Sequence, residues 1–547
     1  MPTANFGTKN DPGFQLEQSP DLIAVRTQDR RPLPRSIGSV RTPLSGELDD
    51  ATMVVSYPEA GVEVYRVPPG SRSIAQRKAV LAAAPEVRFA GHVLVDPVTR
   101  EPVLYTENVF VKFTDDADPE QCVAVLAAAG LRIKETVDYA VNAYFTAAPE
   151  GTGQQVFEIA NGLLRRDDVE YCHPELIRRR VRKTIFPQQW HLKATTIGGV
   201  TINAHANVEA AHAITRGSGA TIALIDDGVD IDHPEFAGTG KVVAPRDATR
   251  QTNDPRPRDT HGTGPEKGDN HGTACAGVAC ANGTVGASGV APEARLMPIR
   301  LASDLGSQAE ASAFKWAADH GADVISCSWG PADGVWFRPD DPAHNQVVPL
   351  PASTRLAIEH AVTNGRNGKG CVVLFAAGNG NESVDNDGYA SFGKVIAVAA
   401  CNDTGKRSVY SDFGKAVWCA FPSNDIGEPA LHHPDALTTG IWTVDRQGRA
   451  GYNVGTTDDG DAAGNFTNSF GGTSSACPGA AGVVALVLSV HPDLTSSEVK
   501  DLLKQSCDMI DPQHGAYGAD GRSDKYGFGR LNALTAVQTA KKLREPQ

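Results

Sequence analysis

The chain has 547 residues, 41% of them hydrophobic, and a formal net charge of −14. That is apolar material for a large core, and the length suits roughly two to four domains. The acidic balance excludes a general nucleic-acid footprint, which needs a basic stripe or face.

The first thirty residues hold no basic start followed by an apolar core, and no run of about eighteen apolar residues occurs in the sequence. A cytoplasmic protein without a membrane span is therefore expected, unless a non-classical export route operates. The ten cysteines are sparse and irregularly spaced, which predicts mostly reduced, buried thiols rather than a disulfide framework.

Residues 1–50 are polar, rich in Pro, Arg and Asp and without periodicity, which predicts a flexible tail. Residues 51–105 bring β-rich runs such as MVVSYP, VEVYRV and EVRFAGHVLV, a small α/β segment that extends the module after it. Residues 106–178 read as strand, helix, strand, strand, helix, strand, an α+β, ferredoxin-like split βαβ module.

A connector over 179–189 comes next, with the basic run Arg178-Arg179-Arg180-Val181-Arg182-Lys183 at its start. Such a run is ordinarily a solvated linker, and the competing reading is a processing site between two modules. Over 190–540, apolar β-branched runs (TIALID, DVISCSWG, CVVLFAAGN, VIAVAACN) alternate with helical ones. That alternation predicts a doubly wound, mostly parallel α/β sheet with its sites at the carboxyl ends of strands. Asp226 and Asn379 fall at two such ends, and 541–547 is a short tail.

Three segments of this long domain carry nucleophile chemistry: IALIDDG with Asp226, DNHGTACAG with His271 and FGGTSSACPGAAG with Ser474. A serine hydroxyl needs a base to take its proton, and the base needs a carboxylate to hold its tautomer. Alone, an Asp after a strand or a Ser at a helix start is most simply a cap; the three together, in the order Asp, His, Ser, read as a relay. Ser474 heads a helix whose Pro478 is expected in the first turn, so backbone N–H groups can face a developing oxyanion. Gly272 is expected to permit close approach beside His271. A second histidine, His261, sits in HGTGPEKGDN, too rich in Gly and Pro to continue as a helix, and is set aside.

IDDG, HGTACAG and GGTSSACP resemble the active-site signatures of the subtilase family, closest to its kexin-like branch, over roughly residues 185–540. The resemblance implies a subtilisin-like catalytic domain preceded by an inhibitory prodomain at 106–178, and an oxyanion donor in the side chain of Asn379. It implies substrate pairing along Ser328, Trp329 and Gly330, with Asp333 and Asp387 at a primary pocket for Arg. Asp227 and Asp269 would receive a basic residue one position earlier. Each acid taken singly is as well explained by a surface carboxylate or a calcium ligand.

A structural Ca²⁺ site is implied at Glu235, Asn282, Thr284 and Gly286, the last two through carbonyls, and a second at Asp333, Asp385 and Asp412. Glu382 is the alternative to Asp385. Cys275 and Cys477 should lie near the relay, and Cys401 and Cys419 are possible partners. Unlike kexin-like enzymes, the sequence shows no β-sandwich after YGFGRLNALTAV. The expected function is a serine endopeptidase made as a zymogen, acting after basic residues. Its partners would be polypeptides with basic residues and its own prodomain, with neither nucleic acid nor membrane. A transpeptidase (macrocyclase) using the same relay and a prodomain-blocked binding protein are the alternatives.

Overall fold

The computed structural model describes residues 2–4, 13–27, 47–48, 50–57, 62–68, 73–85, 87–97, 102–178, 184–259, 268–301 and 307–544. The chain divides into two compact units, 1–181 and 182–547.

Among the described residues, the first unit is built on an eight-stranded antiparallel sheet, with a separate two-residue pair between Thr3–Ala4 and Phe14–Gln15. The strands of the sheet are β1 (Glu17–Thr27), β2 (Thr52–Tyr57), β3 (Val62–Arg66), β4 (Val87–Val95), β5 (Pro102–Phe113), β6 (Arg132–Thr136), β7 (Ala143–Ala147) and β8 (Val169–Arg178). They lie in the order β2-β3-β1-β4-β5-β7-β6, with β8 also on β5. Helix α1 (Ile74–Ala82) opens with a capping box at Ser73, and α2 (Pro119–Ala128) with the Asp118 carboxylate and a proline in its first turn. Residues 106–178 form the expected split βαβ pattern, completed by α3 (Gln155–Leu164).

Glu17–Thr27 was expected within a flexible tail, yet it is an inner strand of this sheet. Its apolar core is only Leu22-Ile23-Ala24-Val25. Alternation sends Ile23 and Val25 to a cluster with Ile74 and Leu81 of α1, and Leu22 and Ala24 to a cluster with Val64 and Val93. Both faces are buried, so the strand is held by partners remote in sequence. Residues 51–105 belong to the same sheet.

The second unit is the doubly wound α/β domain. Its main strands are β9 (Thr221–Asp226), β10 (Arg295–Arg300), β11 (Val324–Cys327), β12 (Val372–Ala376), β13 (Ile396–Cys401) and β14 (Val417–Pro422). They run parallel in the order β10-β9-β11-β12-β13-β14, extended by two-residue strands at either end. Strand residues are buried on both faces, as continuous Val, Ile and Ala runs require when helices cover both sides. The chain leaves β9 towards β10 and then crosses to β11, so β9 and β11 flank the point where strand order reverses. Sites in such sheets form outside the carboxyl ends at that point.

Helix α4 (His271–Cys280) and helix α7 (Gly472–Val490) pack together in the core beside β9 and β11, while α5 (Ser307–Asp319) and α6 (Ala352–Asn364) pack on each other. Helix α7 is long and apolar enough to cross a membrane by composition, but it is mostly buried inside this unit. Between β14 and α7 lies the antiparallel pair β15 (Ile441–Val444) and β16 (Phe466–Phe470). All ten cysteines are free thiols. In the β13–β14 register Cys401 faces Pro422 and Cys419 faces Val398, so the two are not opposite each other.

Candidate active site

Asp226 ends β9 and His271 begins α4, and these termini meet because Gly272 lacks a side chain. A Cβ there would come within 2.3 Å of the Gly228 carbonyl oxygen and 3.0 Å of Asp226 Cβ. His271 Nδ1 lies 2.9 Å from Asp226 Oδ1. Burial pushes the imidazole pKa down, but the charge and hydrogen bond of Asp226 outweigh it, leaving the group raised well above the usual histidine value. Asp226 Oδ2 is buried without a partner among the described residues, so the carboxylate is compensated through Oδ1, by the His271 ring at 2.9 Å and the Asp227 N–H at 2.8 Å.

Ser474 is the third residue of α7, and Gly472, its first, has a φ of 72°, a region that favours glycine. Pro478, expected in the first turn, lies inside the helix. A proline has no N–H for the carbonyl four residues earlier, which here is that of Ser474. That carbonyl accepts from Ser328 Oγ at 3.0 Å and Cys275 Sγ at 3.4 Å instead. Cys275 Sγ is also 3.7 Å from His271 Nδ1. These contacts bring the Asp226–His271 pair and the Ser474 segment to one place at the ends of β9 and β11. Burial pushes the Cys275 thiol up to about 11, so it stays protonated. Cys477 lies deeper, its Sγ facing Ser326 Oγ and the Cys327 carbonyl.

Sequence reasoning missed the supports of the turn before Ser474. Ser423 Oγ donates to the Gly472 carbonyl at 2.7 Å, and Gly472 N–H donates to Asn424 Oδ1 at 2.9 Å. The Tyr410 hydroxyl donates to the same oxygen at 2.6 Å. No local pattern in SND or VYSD announces these contacts. Asn379 Oδ1 accepts from Thr473 N at 2.8 Å and Thr473 Oγ1 at 3.0 Å, leaving the amide NH₂ as its donor side. Its backbone N–H donates to Asp333 Oδ2 at 2.8 Å.

The acids separate into different environments. Gly330 is exposed, and a Cβ there would meet Asp387 Oδ2 at 3.1 Å, which puts a half-buried carboxylate beside the segment after β11. Burial pushes Asp387 up to about 6. Trp329 does not turn its indole to a groove: the ring packs on Phe314, Phe375 and Tyr389, and its Nε1–H donates to the Ile225 carbonyl at 2.8 Å.

Asp269 is placed otherwise than expected. It is buried, and Arg300 donates to its Oδ2 from two nitrogens at 3.0 and 2.6 Å, so its charge is already matched inside the protein. Asp227 accepts the N–H groups of His271 and Gly272 at 3.1 and 2.7 Å, capping α4. His261 lies outside the described residues.

The first calcium expectation fails on the direction of its dipoles. Both oxygens of the fully buried Glu235 are filled by donors, Thr284 N and Oγ1 on one and Val285, Gly286 and Ala287 N on the other, at 2.7–3.2 Å. Asn282 Nδ2 donates to the Ala237 carbonyl. This loop turns N–H groups inward around an anion, where a cation would need carbonyls. In the second set Asp385 stands apart, exposed, accepting from Lys415 N and Ala416 N. Glu382 takes its place: Asp333, Glu382 and Asp412 offer oxygens within 4.8 Å of one another. Gly378 leaves the hollow open, since a Cβ there would meet Asp412 Oδ2 at 2.3 Å and Asp333 Oδ1 at 3.0 Å. Burial and the neighbouring carboxylates push Asp412 up to about 9. Three converging carboxylates fit a hard divalent cation.

The Subtilase family signature matches residues 217–529. The chain is 57% identical over 547 residues to the calcium-dependent protease of Trichormus variabilis, covering 99% of this chain and 80% of that protein. It is 30% identical over 374 residues to the kexin of Saccharomyces cerevisiae, covering 66% of this chain and 40% of kexin. The serine protease of Aeromonas sobria, solved with its chaperone, aligns with a TM-score of 0.55 at 22% identity, covering 67% of this chain and 68% of that one, and shares the fold. On the match across its α/β unit and the likeness to the Trichormus variabilis protease, the chain belongs to the subtilase family of serine proteases.

Proposed function

We propose that the chain is the zymogen of a calcium-assisted serine endopeptidase that cuts polypeptides after basic residues, above all Arg. The observation that carries the specificity is the Asp387 carboxylate, half-buried against the bare Cα of Gly330. A desolvated carboxylate there favours a guanidinium that can bond it through two donors.

In the reaction, Ser474 Oγ attacks the scissile carbonyl carbon while His271 takes the hydroxyl proton. Asp226 holds the imidazole by Nδ1 and stabilises the imidazolium. The Asn379 amide, fixed through Oδ1 by Thr473, donates to the oxyanion. His271 then protonates the leaving amine, and water repeats the sequence on the acyl-enzyme. Asp333, Glu382 and Asp412 would hold Ca²⁺, which when bound neutralises their charge and fixes the segment whose Asp333 anchors the Asn379 backbone. The name of the Trichormus variabilis relative supports the choice of ion.

The test is digestion of a peptide library, with and without EDTA, by the full chain after connector cleavage. Cuts after Arg and Lys that vanish with EDTA and return with Ca²⁺ are expected. Asp387→Asn should lower kcat/KM for Arg substrates about tenfold or more relative to neutral ones. Cleavage without basic preference would refute the specificity.

A further inference from the structure

β15 and β16 are joined by residues 445–465, a connection far longer than the about two to five residues of an ordinary hairpin. The loop is built rather than slack. Asp445 and Asn453 are both fully buried. Asp445 accepts from Arg446 N at 2.8 Å and Asn453 N at 2.7 Å, while Asn453 Nδ2 donates to the Asp461 and Phe466 carbonyls at 2.7 and 2.8 Å. Asn453 Oδ1 accepts from Gly455 N and Thr456 N at 2.9 and 3.0 Å.

The loop is also tied to both segments that carry the Asp226–His271 pair. Gln447 N donates to Asp230 Oδ2 at 3.0 Å, and Arg446 Nη1 donates to Asn270 Oδ1 at 3.0 Å, next to His271. These ties present one aromatic side chain. The half-buried Tyr452 ring lies 5.9 Å from the Phe470 ring, which stands edge-on to the His271 imidazole at 5.6 Å. On the acyl side, Asn379 engages Thr473, and Asp387 lies by Gly330.

His271 must hand its proton to the departing amine, so the residue carrying that amine passes beside the imidazole. We propose that Tyr452, backed by Phe470, forms the binding surface for the residue just after the scissile bond and selects a large apolar or aromatic side chain there. This rests on the peptidase function proposed for the chain and adds the specificity of its leaving side. An aromatic face gains most from rings and aliphatic chains, and its anchored loop loses little freedom on binding.

Partition of the acyl-enzyme tests it. The full chain, after connector cleavage, is acylated at Ser474 by a peptidyl-arginine ester in the presence of phenylalaninamide, leucinamide, glycinamide or aspartic acid α-amide. The amine nitrogen bonds to the acyl carbon, the bond from that carbon to Ser474 Oγ breaks, and the amine proton passes through His271 to Oγ. The mass-spectrometric ratio of amide to acid product reads amine binding independently of the acylation rate. Phenylalaninamide and leucinamide should exceed glycinamide about tenfold or more in wild type. Tyr452→Ala should level the series and Tyr452→Phe should keep it, with a fluorophosphonate label on Ser474 counting competent sites in each variant. Equal partition in wild type, or a preference that survives Tyr452→Ala, would overturn the proposal while leaving the peptidase intact. No label on Ser474 in wild type would remove the peptidase reading and this inference with it.

Discussion

Burial alone would keep the His271 imidazole neutral, and it is the Asp226 carboxylate at 2.9 Å that reverses the balance. Asp226→Asn keeps the shape and removes the charge, so the imidazole pKa should fall. The acid limb of kcat/KM reports that pKa in the free enzyme and should move to lower pH, while kcat drops about 10⁴-fold through the wrong tautomer. A pH–rate profile whose acid limb stays in place would mean that another group controls it. Asp226, His271, Ser474 and Asn379 are legible in sequence because each needs a particular residue type inside a short contiguous motif. Asp269 and Glu235 are not, since what decides their roles is a partner far along the chain: Arg300 for the first, the N–H groups of 284–287 for the second. A carboxylate reads the same in sequence whether it faces a cation, a guanidinium or four backbone amides.

The strands β9, β11, β12 and β13 announce themselves as continuous apolar runs, because helices on both sheet faces leave no solvent side to mark with polar residues, whereas β10 (RLMPIR) and β14 (VWCAFP) carry charged or proline residues and do not. Helix α7 is less transparent: Pro478 reads as a first-turn residue, yet the helix tolerates it inside because the Ser474 carbonyl has Ser328 and Cys275 as partners. The convergence of Asp333, Glu382 and Asp412 comes from the segments after β11, β12 and β13, and only the sheet order brings them together. Three carboxylates in one hollow repel each other, and a divalent cation relieves that only in the folded state. Removing Ca²⁺ should therefore lower stability by about RT ln(1 + [L]/Kd), or about 2.7 kcal/mol for an ion present at a hundred times its Kd. Thermal unfolding with and without EDTA measures it. Asp412→Asn should lose most of this difference, and an EDTA effect unchanged by that substitution would place the ion elsewhere.

Each unit has its own buried clusters, Val111, Phe113 and Phe157 among others in the first and Leu224, Val398 and Val484 in the second, so each has the core of an independent domain. The basic run 178–183 spans the point where the chain divides, between residues 181 and 182; residues 179–183 lie outside those described, and Arg178 closes β8. A peptidase with an acidic primary pocket would find in RRRVRK a substrate already held at high effective concentration by its own chain. Mass spectrometry of the purified full-length protein should show a break between residues 178 and 184 in wild type and an intact chain in Ser474→Ala. Added wild-type enzyme should then cut the Ser474→Ala chain at the same bond. Replacing Arg179, Arg180, Arg182 and Lys183 together by Ala should abolish the break and leave peptide hydrolysis low, since the first unit then stays attached as inhibitor. The same break in both proteins, or none in either, would show that the first unit is not released by the second, and its role would have to be sought outside zymogen control.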